Sequence, residues 1–121
     1  MMRYLNEDEI QSRLRLGKSL EQWLGIVQET GYTILKWLSI DKESHASFSV
    51  VCFESFDEGN GEFLDIYAFS LVDPDEPFGV IHTFSSIADA LEFAEVTYKA
   101  SPNKYISAGM IQEEYRDYIN R

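Results

Sequence analysis

Cysteine and histidine are scarce in this chain of 121 residues, which contains only Cys52, His45 and His82. A single cysteine cannot form an internal disulfide or a multi-cysteine metal site, and the two distant histidines supply too few ligands for a zinc site. This cysteine usage is typical of a reducing compartment. We therefore expect a cytoplasmic protein without a metal site.

Basic residues are missing from a long central part of the chain. No Lys or Arg occurs between Lys42 and Lys99, where twelve Asp and Glu residues fall, and the formal net charge is −11. Binding to a polyanion requires clustered Lys and Arg, so we expect neither nucleic-acid binding nor membrane binding. The acids alternate with Phe, Tyr, Val, Ile and Leu, which predicts a folded acidic segment rather than a solvated tail.

Long apolar runs are also absent from the sequence. No run approaches the ~18 apolar residues of a membrane span, and the stretch MMRYLNEDEI lacks the apolar segment of a signal peptide. The hydrophobic fraction of 45% and the length of 121 residues are sufficient for a buried core without disulfides. The sequence therefore predicts a single α+β domain over residues 1–121.

Helical signals dominate residues 6–30. Asn6, followed by three acids, predicts a helix start, and Ser19 with Gln22 three residues later forms a second capping-box pattern. The apolar residues after Ser19 recur at helical spacing: Leu20, Trp23, Leu24 and Val27. The pattern fits one continuous helix or two helices broken near Gly17, and we favour two.

A change of periodicity after residue 31 predicts strands. Runs rich in β-forming residues, separated by short turns, occur at 32–41, 47–56, 62–72 and 78–84. They predict a four-stranded antiparallel meander, followed by a helix capped at Ser85-Ser86 and a last helix at about 107–119. Both strand faces are apolar. Either helices cover both sides of the sheet, or one face is left for a second copy or a partner.

The stretch FDEGNGEFLD combines carboxylates with glycines between two predicted strands. Asp57, Asn60 and Glu62 offer oxygens for a hard cation, but Gly59 and Gly61 fall where a calcium loop places ligands. We interpret Asn60-Gly61 as the two central residues of a tight hairpin turn whose neighbouring acids are solvated.

Catalytic and cofactor signals are weak. Cys52 and His82 are a conceivable nucleophile and base, but the predicted strand 62–72 lies between them and neither is placed at a helix start. Gly59 and Gly61 resemble part of a phosphate loop, yet no helix follows them. We therefore predict no catalytic, cofactor-binding or metal-binding residue and favour a non-enzymatic protein.

The acidic turns are the best candidate site. Because successive turns of a meander alternate between its two ends, we expect two acidic poles with these partner-binding residues: Asp57, Glu58 and Glu62 at one, Asp73, Asp75 and Glu76 at the other. The function expected is a protein–protein interaction or regulatory module that binds a basic partner or forms a homodimer. The alternative is a small-molecule-binding protein or small enzyme with a pocket between sheet and helices.

Overall fold

The computed structural model describes residues 3–76 and 78–120 as one antiparallel sheet with three helices. The elements in chain order are α1 (Glu7–Arg15), β1 (Leu20–Glu29), β2 (Tyr32–Ser44), β3 (Ser47–Phe56), β4 (Val80–Phe84), α2 (Ile87–Tyr98), β5 (Ile106–Ser107) and α3 (Ile111–Ile119). The predicted α+β class is confirmed. The predicted total of four strands is wrong, since the sheet has five in the order β4-β3-β2-β1-β5.

The second predicted helix, after Ser19, is wrong because this segment forms β1. β1 pairs with β2 from Leu20 opposite Ile40 to Glu29 opposite Tyr32. Gln22 does not cap a helix; its side chain exchanges hydrogen bonds with the backbone of Ser101. Tertiary pairing along β2 thus overrides the local helical spacing.

The predicted strand 62–72 is also wrong, although the strands at 32–41 and 47–56 are confirmed within β2 and β3. Residues 57–79 join β3 to β4 and contain a 3₁₀ turn at Ile66–Ala68. Leu71 forms an isolated bridge with Ser55, and pairing beside β3 resumes only where Val80 lies opposite Cys52. β4 pairs with β3 only from Phe48 to Cys52, and residues 70–72 pair with the end of β3, whereas Leu64, Ile66 and Phe69 cover the sheet instead of extending it. We call residues 57–79 the acidic connection.

The two faces of the sheet have different covers. α1 and α2 pack on one face, around Leu38, Ile40 and Val50. On the other face, α3 and the acidic connection pack around Leu35 and Trp37. Both apolar strand faces are therefore covered from within the chain, in part by a connection that the sequence predicts to be a strand.

α1 and α2 start at predicted caps, whereas the predicted cap Ser19 starts no helix and α3 has no side-chain cap. Asn6 caps α1 and exchanges hydrogen bonds with Glu9, with distances of 2.9 and 3.0 Å. Ser86 caps α2 by accepting a hydrogen bond from the Asp89 backbone at 3.1 Å. Across residues 3–76 and 78–120, no helix has the length and apolar character needed to cross a membrane.

Candidate functional site

The two acidic groups belong to one connection instead of two opposite poles. The chain leaves β3 after Phe56 and returns to β4 at Val80, and no strand separates the two groups. The Asp57 backbone donates to the Thr33 carbonyl, while Val72 donates to the Glu54 carbonyl. The predicted alternation between sheet ends fails because residues 62–72 do not form a strand.

Two of the predicted partner-binding carboxylates are held by internal hydrogen bonds. Asp57 accepts from the hydroxyl of the fully buried Tyr115 and from the Gly59 backbone. Glu58 accepts from the Ser70 backbone at 2.5 Å. These bonds attach the start of the connection to α3 and to its own later residues. Asp57 and Glu58 therefore have a structural role that their charge alone does not indicate.

The tight turn in the opening of the connection is shifted by one residue from its predicted position. Asn60 and Phe63 exchange backbone hydrogen bonds of 3.0 and 3.1 Å, so Gly61 and Glu62 are the central residues. Neither Asn60 nor Gly61 has positive φ. Gly59 is required for space, because an added Cβ would overlap the Phe69 ring and lie 2.7 Å from the Tyr115 hydroxyl.

The remaining carboxylates of the connection are exposed to solvent. Glu62, Asp75 and Glu76 accept no hydrogen bond and form no ion pair with residues that the structure describes. Asp73 accepts at Oδ1 from the Asp75 backbone, at 2.9 Å, which organises the loop. Charge on these groups is not neutralised within the described chain, in contrast to Arg3, which pairs with two acids of α3.

Exposed apolar side chains follow these acids in the chain, at the start of β4 and along it. Phe78 is 77% exposed and Ile81 is 53% exposed, and β4 is an outermost strand. Large exposed apolar groups beside a sheet edge mark a surface suited to association. We define the acidic edge as the six residues Asp73, Asp75, Glu76, Phe78, Val80 and Ile81.

A cavity of 390 Å³ adjoins the acidic edge. Four aromatic residues line it, together with two aliphatic residues and two from the acidic loop: Trp37, Phe53, Tyr67, Phe69, Ile66, Leu71, Asp73 and Pro74. The Trp37 and Phe53 rings are stacked with centroids 4.2 Å apart. The Tyr67 ring lies at 81° to Trp37, with centroids 5.4 Å apart. We call this space the aromatic cavity.

A smaller pocket of 120 Å³ shares Leu71 and Asp73 with the lining of the aromatic cavity. Its lining includes Glu54, Asp73 and Glu76 together with Cys52. Asp73 thus borders both the aromatic cavity and a second space whose lining is rich in carboxylates. No group of three or more His, Cys, Asp or Glu side chains suited to a metal ion occurs within residues 3–76 and 78–120.

Cys52 and His82 are closer than the sequence predicts. Cys52 lies opposite Val80 and His82 lies opposite Val50, so the two residues occupy adjacent strands with no strand between them. Burial raises the pKa of the Cys52 thiol to about 11, with a further contribution from the charge of Glu54. The thiol is therefore protonated at neutral pH, and the arrangement does not generate a thiolate nucleophile.

Glu21 is a buried carboxylate beside the aromatic cavity. It accepts hydrogen bonds from the Tyr67 hydroxyl at 2.6 Å and from the backbones of Gly109 and Ile111. Burial raises its pKa, and these hydrogen bonds oppose the rise. Sequence reasoning missed Glu21 because it placed the residue in a helix. If residues 20–23 are instead interpreted as a strand, in which side chains alternate between two faces, Glu21 lies on the same face as Trp23. That interpretation would have identified Glu21 as a buried carboxylate.

Comparisons with known proteins provide no assignment. No protein-family model, curated protein or solved structure matches the chain. The functional argument therefore depends on the acidic edge and the aromatic cavity themselves.

Proposed function

We propose that the protein is a non-enzymatic interaction module that binds a basic protein partner through the acidic edge. The observation that supports this most directly is that the exposed Asp75 and Glu76 and the 77% exposed Phe78 belong to one short loop, which a hydrogen bond from the Gly79 backbone to the Glu76 carbonyl closes before β4. Carboxylates attract a basic surface over a distance, and a large apolar side chain supplies contact area once the surfaces meet.

The charge of the chain favours a basic partner over a second copy. At a net charge of −11, two copies of the chain repel each other. The outer side of β4 has no strand neighbour in the described sheet, so its backbone groups are available to an added strand. A basic segment can both neutralise the negative charge and pair with the free backbone groups of β4.

Matched charge variants test this proposal. The variant D75N/E76Q removes two charges from the acidic edge, and E29Q/E95Q removes two exposed charges from β1 and α2. Each tagged chain is purified from cells that express the natural protein, at low and high salt. We expect one basic protein to co-purify with the natural chain and with E29Q/E95Q, to dissociate in high salt, and to be lost with D75N/E76Q.

Two outcomes would overturn the proposal. One is the same protein retained equally by both charge variants. The other is a homodimer in size-exclusion chromatography that persists in D75N/E76Q, with no basic protein bound to any chain.

The 390 Å³ aromatic cavity supports a second candidate, the binding of a small molecule. Its position differs from the expected pocket between sheet and helices, since the connection forms one of its walls. Binding of a neutral ligand in this cavity with no dependence on the acidic edge would favour the second candidate over the first.

A further inference from the structure

We propose that the aromatic cavity receives the guanidinium group of an arginine side chain of the basic partner. This inference rests on the proposed function, because the partner supplies the arginine. It adds a specific site to a surface that otherwise offers only general attraction between opposite charges.

The cavity walls have the chemistry of a cation site. The faces of aromatic rings carry negative electrostatic potential, so a cation placed against them is attracted, most strongly when water is excluded. Trp37 and Phe69 are each only 4% exposed, and Trp37 is stacked against Phe53, so the ring surface open to a ligand comes mainly from Tyr67, which is 46% exposed, and the partly exposed Phe53. The volume of 390 Å³ lies in the usual range for ligand cavities and accommodates a planar guanidinium with part of its stem.

The charges around the cavity are negative. None of the residues that line it is basic, and Asp73 lies in its lining. The Asp73 Oδ1 atom accepts from the Asp75 backbone, whereas Oδ2 accepts from no described residue. A guanidinium in the cavity can therefore donate to Asp73 without displacing the hydrogen bond that organises the loop.

The tyrosine in the wall experiences the same negative surroundings. Burial raises the pKa of the Tyr67 hydroxyl, and the hydrogen bond to Glu21 and the charges of Glu21 and Asp65 raise it further. The part of this shift that comes from the charges of Glu21 and Asp65 favours a cation near the tyrosine, whereas burial, the largest cause, disfavours a charge of either sign.

Arginine fits the cavity better than lysine. A guanidinium is planar, weakly hydrated and stacks on aromatic faces, while an ammonium is a strongly hydrated point charge. A guanidinium also offers several donors, so it can contact an aromatic face and a carboxylate at once.

The test uses acetyl-arginine amide and its neutral isostere acetyl-citrulline amide as probes of the isolated protein. The chain has two tryptophans, and Trp37 lines the cavity whereas Trp23 does not. In ¹H–¹⁵N spectra, the indole N–H signal of Trp37 therefore reports binding in the cavity, and the signal of Trp23 is an internal reference. We expect the arginine probe to shift the Trp37 signal saturably, and the citrulline probe to bind at least about tenfold more weakly.

Two single variants locate the charge that the cation contacts. D73N preserves an oxygen that can accept from the Asp75 backbone and removes the charge, so we expect it to weaken arginine binding about fivefold. E76Q removes a neighbouring charge that does not line the aromatic cavity, and we expect a change under about twofold.

The result that would overturn the inference is equal binding of both probes, equal shifts of Trp23 and Trp37, or no shift of Trp37 at about 20 mM probe. Undiminished arginine binding by D73N would also overturn it. These failures are distinguishable from failure of the proposed function. If the cavity binds no arginine while D75N/E76Q still loses the partner, the acidic edge remains the binding surface and only the cavity assignment is wrong.

Discussion

The Tyr67 hydroxyl donates a 2.6 Å hydrogen bond to Oε2 of Glu21, joining the acidic connection to β1. We predict that Tyr67→Phe lowers the free energy of unfolding by about 1–3 kcal/mol, because a buried carboxylate loses a donor. Urea denaturation measures the loss. Tyr32→Phe is a matched control, since Tyr32 and Tyr67 are 48% and 46% exposed and the Tyr32 hydroxyl bonds to no described residue. An equal loss in both variants would contradict the prediction.

Glu21 gives the stability a pH dependence of known sign. Burial raises its folded-state pKa above the ordinary value of 4.5, so the folded state holds this proton to higher pH than the unfolded state does. The contribution of Glu21 to stability is therefore full below pH 4.5 and is lost as the pH rises through the folded-state pKa. We predict that the unfolding free energy of the natural chain falls relative to that of Glu21→Gln as the pH rises from 4.5 through the folded-state pKa of Glu21. A difference that grows in favour of the natural chain as pH rises would show the opposite shift.

Two glycines of the acidic connection differ in what they tolerate. At Gly59 an added Cβ would overlap Phe69 and lie 2.7 Å from the Tyr115 hydroxyl, whereas at Gly61 nothing lies within 4 Å. We predict that Gly59→Ala destabilises the fold by about 1–3 kcal/mol through overpacking, and that Gly61→Ala changes stability by under about 0.5 kcal/mol. Thermal or urea unfolding of the two variants measures both. Similar stabilities would mean that the connection does not pack against α3 as described.

The Cys52 thiol is predicted to react slowly. A pKa raised from 9.0 to about 11 lowers the thiolate fraction about 100-fold near pH 8, and burial adds a barrier to reagents. A disulfide reagent that releases a chromophore measures the rate. We expect the folded protein to react at least about 100-fold more slowly than the urea-unfolded chain. Comparable rates would show an accessible, ionised thiol.

The sequence predicts those parts of the fold that local signals specify. Asn6 and Ser86 each cap a helix where expected, and the runs of β-forming residues between short turns place β2 and β3. The prediction for β1 is wrong because the same apolar residues fit either one side of a helix or the two faces of a strand. Only the pairing with β2 decides between the two structures.

The amino-acid composition indicates which residues belong to the candidate site, but it does not predict where they lie in the fold. The absence of Lys and Arg from the central segment correctly directs attention to Asp73, Asp75 and Glu76 as exposed acids. It cannot reveal that Asp57 is bonded to Tyr115, 58 residues away, because that contact depends on how the connection folds. The aromatic cavity was missed for the same reason.

The central claim is that the acidic edge binds a basic partner, and site-specific photo-crosslinking tests it most directly. The photoreactive residue p-benzoylphenylalanine replaces either Phe78, which is 77% exposed in the acidic edge, or Leu16, which is 74% exposed after α1. We predict that irradiation of cells joins one basic protein to the chain substituted at position 78, that D75N/E76Q in the same chain reduces the adduct, and that position 16 yields none. The same adduct from both positions, or only an adduct of two copies of the chain, would contradict the account.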